Sequence, residues 1–241
     1  ERKGGYNDLK SSTIRHTSKA FSEDPLRIYR VARFASELEF SVADKTIELM
    51  KDIKDELSTV SIERVFEELK KALNTSFPSK FFSILYKADC LDVHFKEINR
   101  LKGIPQPEKH HPEGDVFTHT LNAVDFAGTF SDKIYLKFAI LTHDIGKGLT
   151  DSDMWPHHYK HAKLGLDALD NMNDRLIIPN KWYRSAKVII KQHMRARDWK
   201  KMNPGKLVKL FKTIDQSPIT IKDLATALIV DQYARENFEN L

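Results

Sequence analysis

Apolar residues return at helical spacing along almost all of this 241-residue chain, and no stretch alternates apolar with polar as a half-buried strand would. That periodicity restricts the fold to the all-α class, and it places most elements. Leu26, Tyr29 and Phe34 belong to one amphipathic helix, and Ile47, Met50, Ile53 and Leu57 mark a second. Ser61 is the predicted N-cap of a third helix with acids in its first turns. Pro78 opens a fourth that carries Phe81, Phe82, Leu85 and Tyr86. The run Gly103-Ile104-Pro105-Gln106-Pro107 resists helix continuation and is the predicted linker. Beyond it the spacing predicts helices near 116–130, 132–145, 160–175, 180–196, 204–215 and 219–238. The expectation is two helical bundles joined near residue 103.

A hydrophobic fraction of 41% is enough for a core, and the single cysteine, Cys90, has no internal disulfide partner. A reducing, cytoplasmic setting fits that usage. Apolar runs such as residues 138–141 are far too short to span a bilayer, and no signal-peptide pattern opens the chain. The net charge of +5 is compatible with attraction to phosphate-bearing partners, and equally with an ordinary solvated surface. Glu1-Arg2-Lys3-Gly4-Gly5 lacks an initiator Met and reads as the start of a piece of a longer protein.

Eight of the ten histidines lie beyond the linker: His110, His111, His119, His143, His157, His158, His161 and His193. His143 and Asp144 are predicted to close the apolar helix that begins near Tyr135. Neighbouring helical side chains diverge by about 100°, so both serve one site only as a wedge around a shared position. A carboxylate ending such a buried helix calls for a cation, and Asp231, after Leu228-Ile229-Val230, poses the same demand. Together with His119 inside its helix, these make a mixed nitrogen–oxygen set suited to divalent ions. The alternative is a satisfied structural cluster. His16 and His94 read as structural.

The order of these residues, His119, then His143-Asp144, then Asp231, resembles the H…HD…D pattern of the HD superfamily, and the run His143-Asp144-Ile145-Gly146-Lys147-Gly148 is similar to its signature. The resemblance implies that His119, His143, Asp144 and Asp231 ligate a divalent metal (Mg²⁺, Mn²⁺, Ni²⁺ or Co²⁺). It also implies catalytic roles for Asp144 and Lys147, the latter meeting a phosphate. His158, His161 and His193 are candidates for a second metal or for the phosphate, since some HD enzymes use extra histidines so. Their alternative is a hydrogen-bonded supporting role, and His110, His111 and His157 are expected near the entrance.

Glu23-Asp24-Pro25-Leu26-Arg27 and the ridge of Arg27, Arg30 and Arg33 read from spacing as a capped helix with a charged face. The segment also resembles the neck of bacterial class II tRNA nucleotidyltransferases, the CCA-adding enzymes. That resemblance covers essentially the entire chain, and it is specifically to the bifunctional members with an HD domain behind the neck. It implies that Asp24 and Arg27, with Arg30 beside them, read an incoming nucleotide, and that Glu63, Arg64 and Glu68 brace that helix through ion pairs. The implied organisation is residues 1–22 as the edge of a nucleotidyltransferase head, 23–102 as the neck and 103–241 as the HD domain. The head's G-S-x-D-x-D carboxylate pair is missing, so CTP and ATP addition to tRNA is expected only with that head. The implied reactions of the HD half are 2′,3′-cyclic phosphodiesterase, 2′-nucleotidase and phosphatase. A basic run from Arg195 to Lys212, with Trp199 interleaved, suits RNA backbone and a stacked base, or simply solvent. Two alternatives stay open: a tRNA-binding module that hydrolyses nothing, and a free-nucleotide phosphohydrolase. A homodimer is compatible with either.

Overall fold

The structure, a computed structural model, describes residues 4–109 and 111–236. Among these the helices are α1 (Gly5–Lys10), α2 (Leu26–Leu38), α3 (Asp44–Asp52), α4 (Ile62–Leu73), α5 (Ser79–Lys87), α6 (Leu91–Asn99), α7 (Val116–Phe130), α8 (Ile134–Leu141), α9 (His161–Leu176), α10 (Asn180–Arg197), α11 (Pro204–Asp215) and α12 (Ile221–Glu236). The chain is all-α apart from a minimal parallel ladder between Thr13–Ile14 and Ser41–Val42. Two residues per strand are too few to leave an alternating pattern. The chain forms two compact units, Glu1–Lys96 and Glu97–Leu241. The division falls just after Phe95, where the backbone of α6 leaves helical geometry.

In the first unit α2 packs on α4 and α5, burying Leu26, Ile28, Tyr29, Val31, Ala32 and Ala35. The rings of Tyr29, Phe81, Phe82 and Phe95 meet with centroids 5.2–6.2 Å apart. Tyr29 Oη lies 2.6 Å from His94 Nδ1, and His16 Nδ1 lies 2.9 Å from Thr46 Oγ1, so both histidines are hydrogen-bonded here. Two sequence expectations change. Ile53 and Leu57 fall outside α3, which stops at Asp52, although both remain buried. Apolar spacing reports burial, and the 3₁₀ turn Lys54–Thr59 preserves it without an α-helix. Ser61 holds the N-cap position of α4 but makes no side-chain capping bond.

The second unit is built around α8, whose residues 136–141 are all buried. It is packed by α7 and α10, with α12 against α7 and α10, and α9 against α10. The predicted helix to residue 145 ends earlier, at Leu141. Thr142 Oγ1 bonds the carbonyls of Phe138 (2.9 Å) and Ala139 (3.3 Å), satisfying groups a helix end leaves orphaned. His143 and Asp144 therefore sit in a turn, and the wedge argument for adjacent helical positions does not apply. The following 3₁₀ turn, Ile145–Leu149, lies against α9. A β-carbon on Gly146 would overlap the backbone of His161 and Gly165, so only glycine admits this approach.

The helix that carries Asp231 is anchored by a reciprocal cap. Thr220 N donates to Asp223 Oδ2 (2.9 Å), Asp223 N donates to Thr220 Oγ1 (3.2 Å), and Lys133 Nζ lies 2.7 Å from Asp223 Oδ1. Burial raises the Asp223 carboxyl, but the bonds from Lys133 and Thr220 outweigh it and hold the group below its ordinary value. A carboxyl lowered in the folded state contributes stability above its unfolded value, near 3.9, that is lost as pH falls through the folded value. Asp223→Asn is expected to cost about 1–2 kcal/mol at pH 7, mostly the cap. Thermal melts of the two proteins should converge as pH falls from about 4 through the folded value; a gap that does not narrow as pH falls below about 4 would contradict this.

Candidate metal centre

Five elements converge on one buried locus: α7 brings His119, the turn after α8 brings His143 and Asp144, α9 and α10 bring His161 and His193, and α12 brings Asp231. His119 Nε2 is 2.9 Å from Asp231 Oδ1, and His143 Nε2 is 3.6 Å from the same oxygen and 3.2 Å from Asp144 Oδ2. The other oxygen of Asp144 faces His161 Nε2 at 3.4 Å and His193 Nε2 at 3.5 Å. Among the described residues potential ligand atoms form three groups, each spanning no more than 4.8 Å: His119–His143–Asp231 and Asp144–His161–His193 around the carboxylates, and His111–Glu113–His119 beside the first. Asp144 is the hinge between the first two.

The histidines are oriented by the backbone. His143 Nδ1 lies 2.7 Å from Ile140 O, His161 Nδ1 2.9 Å from His158 O, and His193 Nδ1 3.1 Å from both Ile189 O and Ile190 O. A carbonyl only accepts, so each Nδ1 carries the proton and each Nε2 is turned toward the carboxylates. His143 Nε2 and Asp144 Oδ1 are buried with no hydrogen-bond partner. Burial lowers His143, yet the charge of Asp144 and the contacts with Asp144 and Asp231 push its pKa up to about 10. Lys147 and Arg235 each set a positive charge against one of the two buried carboxylates, and the imidazole nitrogens between them could hold a divalent cation as well. Asp144 and Asp231 are both held well below the usual carboxylate range: burial raises them, and His143 and Lys147, or His119 and His143, outweigh it. The donor set fits a borderline or hard divalent ion.

The other predicted residues divide. Lys147 Nζ contacts Asp144 Oδ2 and Gln106 Oε1, both at 2.7 Å, and lines a cleft of about 380 Å³ over the centre. His111 and His157 line that cleft too, whereas His110 lies outside the described residues. His158 also borders it, but Thr150 Oγ1 and Pro105 O each sit 2.7 Å from one of its ring nitrogens. It belongs to none of the ligand groups, because both nitrogens are spoken for.

Sequence reading missed the support behind His119. Glu113 Oε1 lies 2.8 Å from His119 Nδ1 and accepts from His111 Nδ1 at 2.8 Å. The first contact lacks hydrogen-bond geometry, and His119 Nδ1 has no other partner. Burial raises Glu113, but the bond from His111 and the nearby His119 ring bring it down to about 2, while burial takes His111 down to about 4. Arg235 was missed as well. Its Nη2 holds both oxygens of Asp231 at 2.7 and 2.5 Å, and the i,i+4 spacing on α12 was the available signal.

In the first unit Asp24 Oδ1 accepts from Leu26 N (3.1 Å), and Arg64 Nη2 lies 3.1 Å from Asp24 Oδ2. Arg27 donates to the carbonyl of Ala20, and Arg30 is exposed. The ridge drifts inward at Arg33, which pairs with buried Glu68 (2.7 Å) and with Glu37. Glu63 is exposed.

Residues 116–227 match the family described as HD domain, and residues 39–102 match one described as a probable RNA and SrmB- binding site of polymerase A. A multifunctional CCA protein of Vibrio campbellii is 38% identical over 244 residues, covering 98% of this chain and 60% of that protein. The chain corresponds to the neck and HD region of CCA-adding enzymes. It spans about 60% of the length of that curated relative. Among solved structures, a tRNA nucleotidyltransferase complexed with a primer tRNA and an ATP analogue superposes with a TM-score of 0.58 at 19% identity, over 98% of this chain and 62% of that one. A Thermotoga maritima CCA-adding enzyme complexed with tRNA gives 0.56 at 15% identity, over 99% and 53%. At such identities these structures speak for the fold of a CCA-type neck and HD region. HD domains are metal-dependent, which agrees with the ligand groups above. No helix among the described residues is long and apolar enough to cross a membrane.

Proposed function

We propose that the second unit is a metal-dependent phosphohydrolase acting on RNA or nucleotide ends, within a multifunctional cytoplasmic protein that matures and repairs tRNA 3′ termini. The observation that carries this is the set of three histidines, His143, His161 and His193, whose Nδ1 atoms are tied to backbone carbonyls while their Nε2 atoms face Asp144 and Asp231. His119, His143, Asp144 and Asp231 would hold the principal ion, and His161 and His193 with Asp144 a second ion or the phosphate. Mg²⁺, Mn²⁺, Ni²⁺ and Co²⁺ all suit such donors. When bound, the ion supplies a Lewis acid and a water of lowered pKa. Lys147, at the cleft wall, places its ammonium against phosphate oxygens and offsets charge that grows there. In the neck, Asp24, Arg27 and Arg30 would contact the nucleotide, with Glu63, Arg64 and Glu68 as braces; tRNA, CTP and ATP are partners of the full-length protein.

Elemental analysis combined with hydrolysis of 2′,3′-cyclic AMP, 2′-AMP and simple phosphomonoesters tests the reading. Failure of all three esters under all four ions would overturn it. Glu113 acts as a positioning residue behind His119, because a carboxylate on the second ring nitrogen fixes the ring and raises its basicity. Glu113→Gln is therefore expected to weaken divalent-ion affinity by roughly 10- to 100-fold, read by equilibrium dialysis.

A second reading, an RNA-binding module without hydrolysis, is favoured by one observation. Lys191, Arg195, Lys206, Lys209 and Lys212 line a cleft of about 350 Å³ on α10 and α11. Salt-sensitive tRNA binding indifferent to chelation, with no ester cleaved, is what it requires.

A further inference from the structure

A second cleft, of about 690 Å³, adjoins the metal centre, and the same two arginines, Arg197 and Arg235, line both. Asp231, a member of the centre, also reaches its wall. One side is apolar: Ala225, Leu228 and Ile229 lie on a single face of α12 at spacings of three and four residues. Trp199 also lines the cleft, in the 3₁₀ turn Trp199–Lys201 after α10, 53% exposed and with no other aromatic ring stacked on it among the described residues. Lys200 Nζ lies 5.8 Å from its ring centroid. Lys109, Arg197 and Arg235 supply positive charge around the rim, and Asp231 is the sole acid among the lining residues.

We infer that this cleft is a nucleobase subsite, in which the base of a substrate nucleotide stacks on Trp199 while its phosphate lies at the metal centre. The inference rests on the phosphohydrolase reading for the second half of that statement only. Three features select this occupant. The volume falls in the range of small-molecule sites, about 300–1,000 Å³. The arginines common to both clefts bridge a phosphate position to an apolar slot, which is the layout of a nucleotide and of neither a bare phosphate nor a peptide. Arg197 is exposed and makes no ion pair with a described residue, so its guanidinium is available to the sugar-phosphate. Asp231 is already held by Arg235, leaving the rim cationic. The subsite makes the base, and not the phosphate alone, part of what the centre recognises.

Calorimetry on the whole chain with Mn²⁺ tests this, with a non-hydrolysable phosphonate analogue of adenosine 2′-monophosphate and inorganic phosphate as the two probes. The unaltered protein is expected to prefer the nucleotide over phosphate, and Trp199→Ala to reduce that preference about tenfold, within the range of base-stacking losses. Trp199→Phe, which keeps a ring, should recover most of it. No preference in the unaltered protein, or a preference that survives Trp199→Ala, overturns the subsite. A concentration-dependent dimer abolished by Trp199→Ala would assign the cleft to a second copy of the chain and overturn it equally. Because binding is read directly, these outcomes are independent of whether any ester is hydrolysed.

Discussion

Asp144→Asn is expected to reduce phosphoester hydrolysis by roughly 10²- to 10³-fold, the loss that follows removal of one preorganised charge-stabilising group. Asp144 faces two ligand groups, with Oδ2 toward His143 and Lys147 and Oδ1 toward His161 and His193. An amide keeps the shape but removes the charge, and it presents an N–H₂ where a ligand lone pair is needed. Metal content should fall with activity. Losing the carboxylate also leaves Lys147 and His143 short of a buried counter-charge, so stability drops, by up to about 3–5 kcal/mol. The decisive result is lost hydrolysis in a variant that still melts cooperatively. Activity within tenfold of the unaltered protein would remove Asp144 from the proposed centre.

Gly146→Ala should damage the site without touching a single ligand. The added methyl would meet the backbone of His161 and Gly165, which cannot rotate away as a long side chain does. Overpacking of this kind costs at least about 1–3 kcal/mol. Relief requires the start of α9 to retreat from the turn, and that motion carries His161 away from Asp144. Gly148→Ala is the control in the same turn. Its β-carbon would meet Arg100 Cβ at 3.2 Å and Arg100 O and Leu101 Cδ2 at 3.3 Å, contacts that shifts of a few tenths of an ångström relieve, against 1.9–2.8 Å at Gly146. The expected order in melting temperature is unaltered protein, then Gly148→Ala, then Gly146→Ala well below. An equal, small effect of both would mean that the α9 approach is not tightly held.

Much of the fold was legible because a buried helical face repeats in sequence. α7, α9, α10, α11 and α12 begin and end close to where periodicity put them. The end of α8 was not legible, since Thr142 satisfies the terminal carbonyls through its own hydroxyl and no breaker residue marks the stop. Nor was the Thr220–Asp223 cap read, although its spacing was there to find. His158 shows the limit on the side of the site. It shares a residue type and a neighbourhood with His161, yet contacts from Thr150 and Pro105, 8 and 53 residues away, occupy both nitrogens.

The sequence by itself determined the helical class and the inventory of groups able to take part: imidazoles and carboxylates gathered in one half, and Lys147 three residues after Asp144. These follow from local periodicity and from side-chain chemistry, both of which are written in order along the chain. Tertiary structure alone decided which groups meet. It split the donors into two sets around Asp144, set Glu113 behind His119, and laid Arg197 and Arg235 between two clefts. The reason is physical: His119 and Asp231 stand 112 residues apart but 2.9 Å from each other. Such a distance is fixed by how α7, α8 and α12 pack, including the glycine contact that brings α9 onto the turn, and no spacing in the chain encodes it.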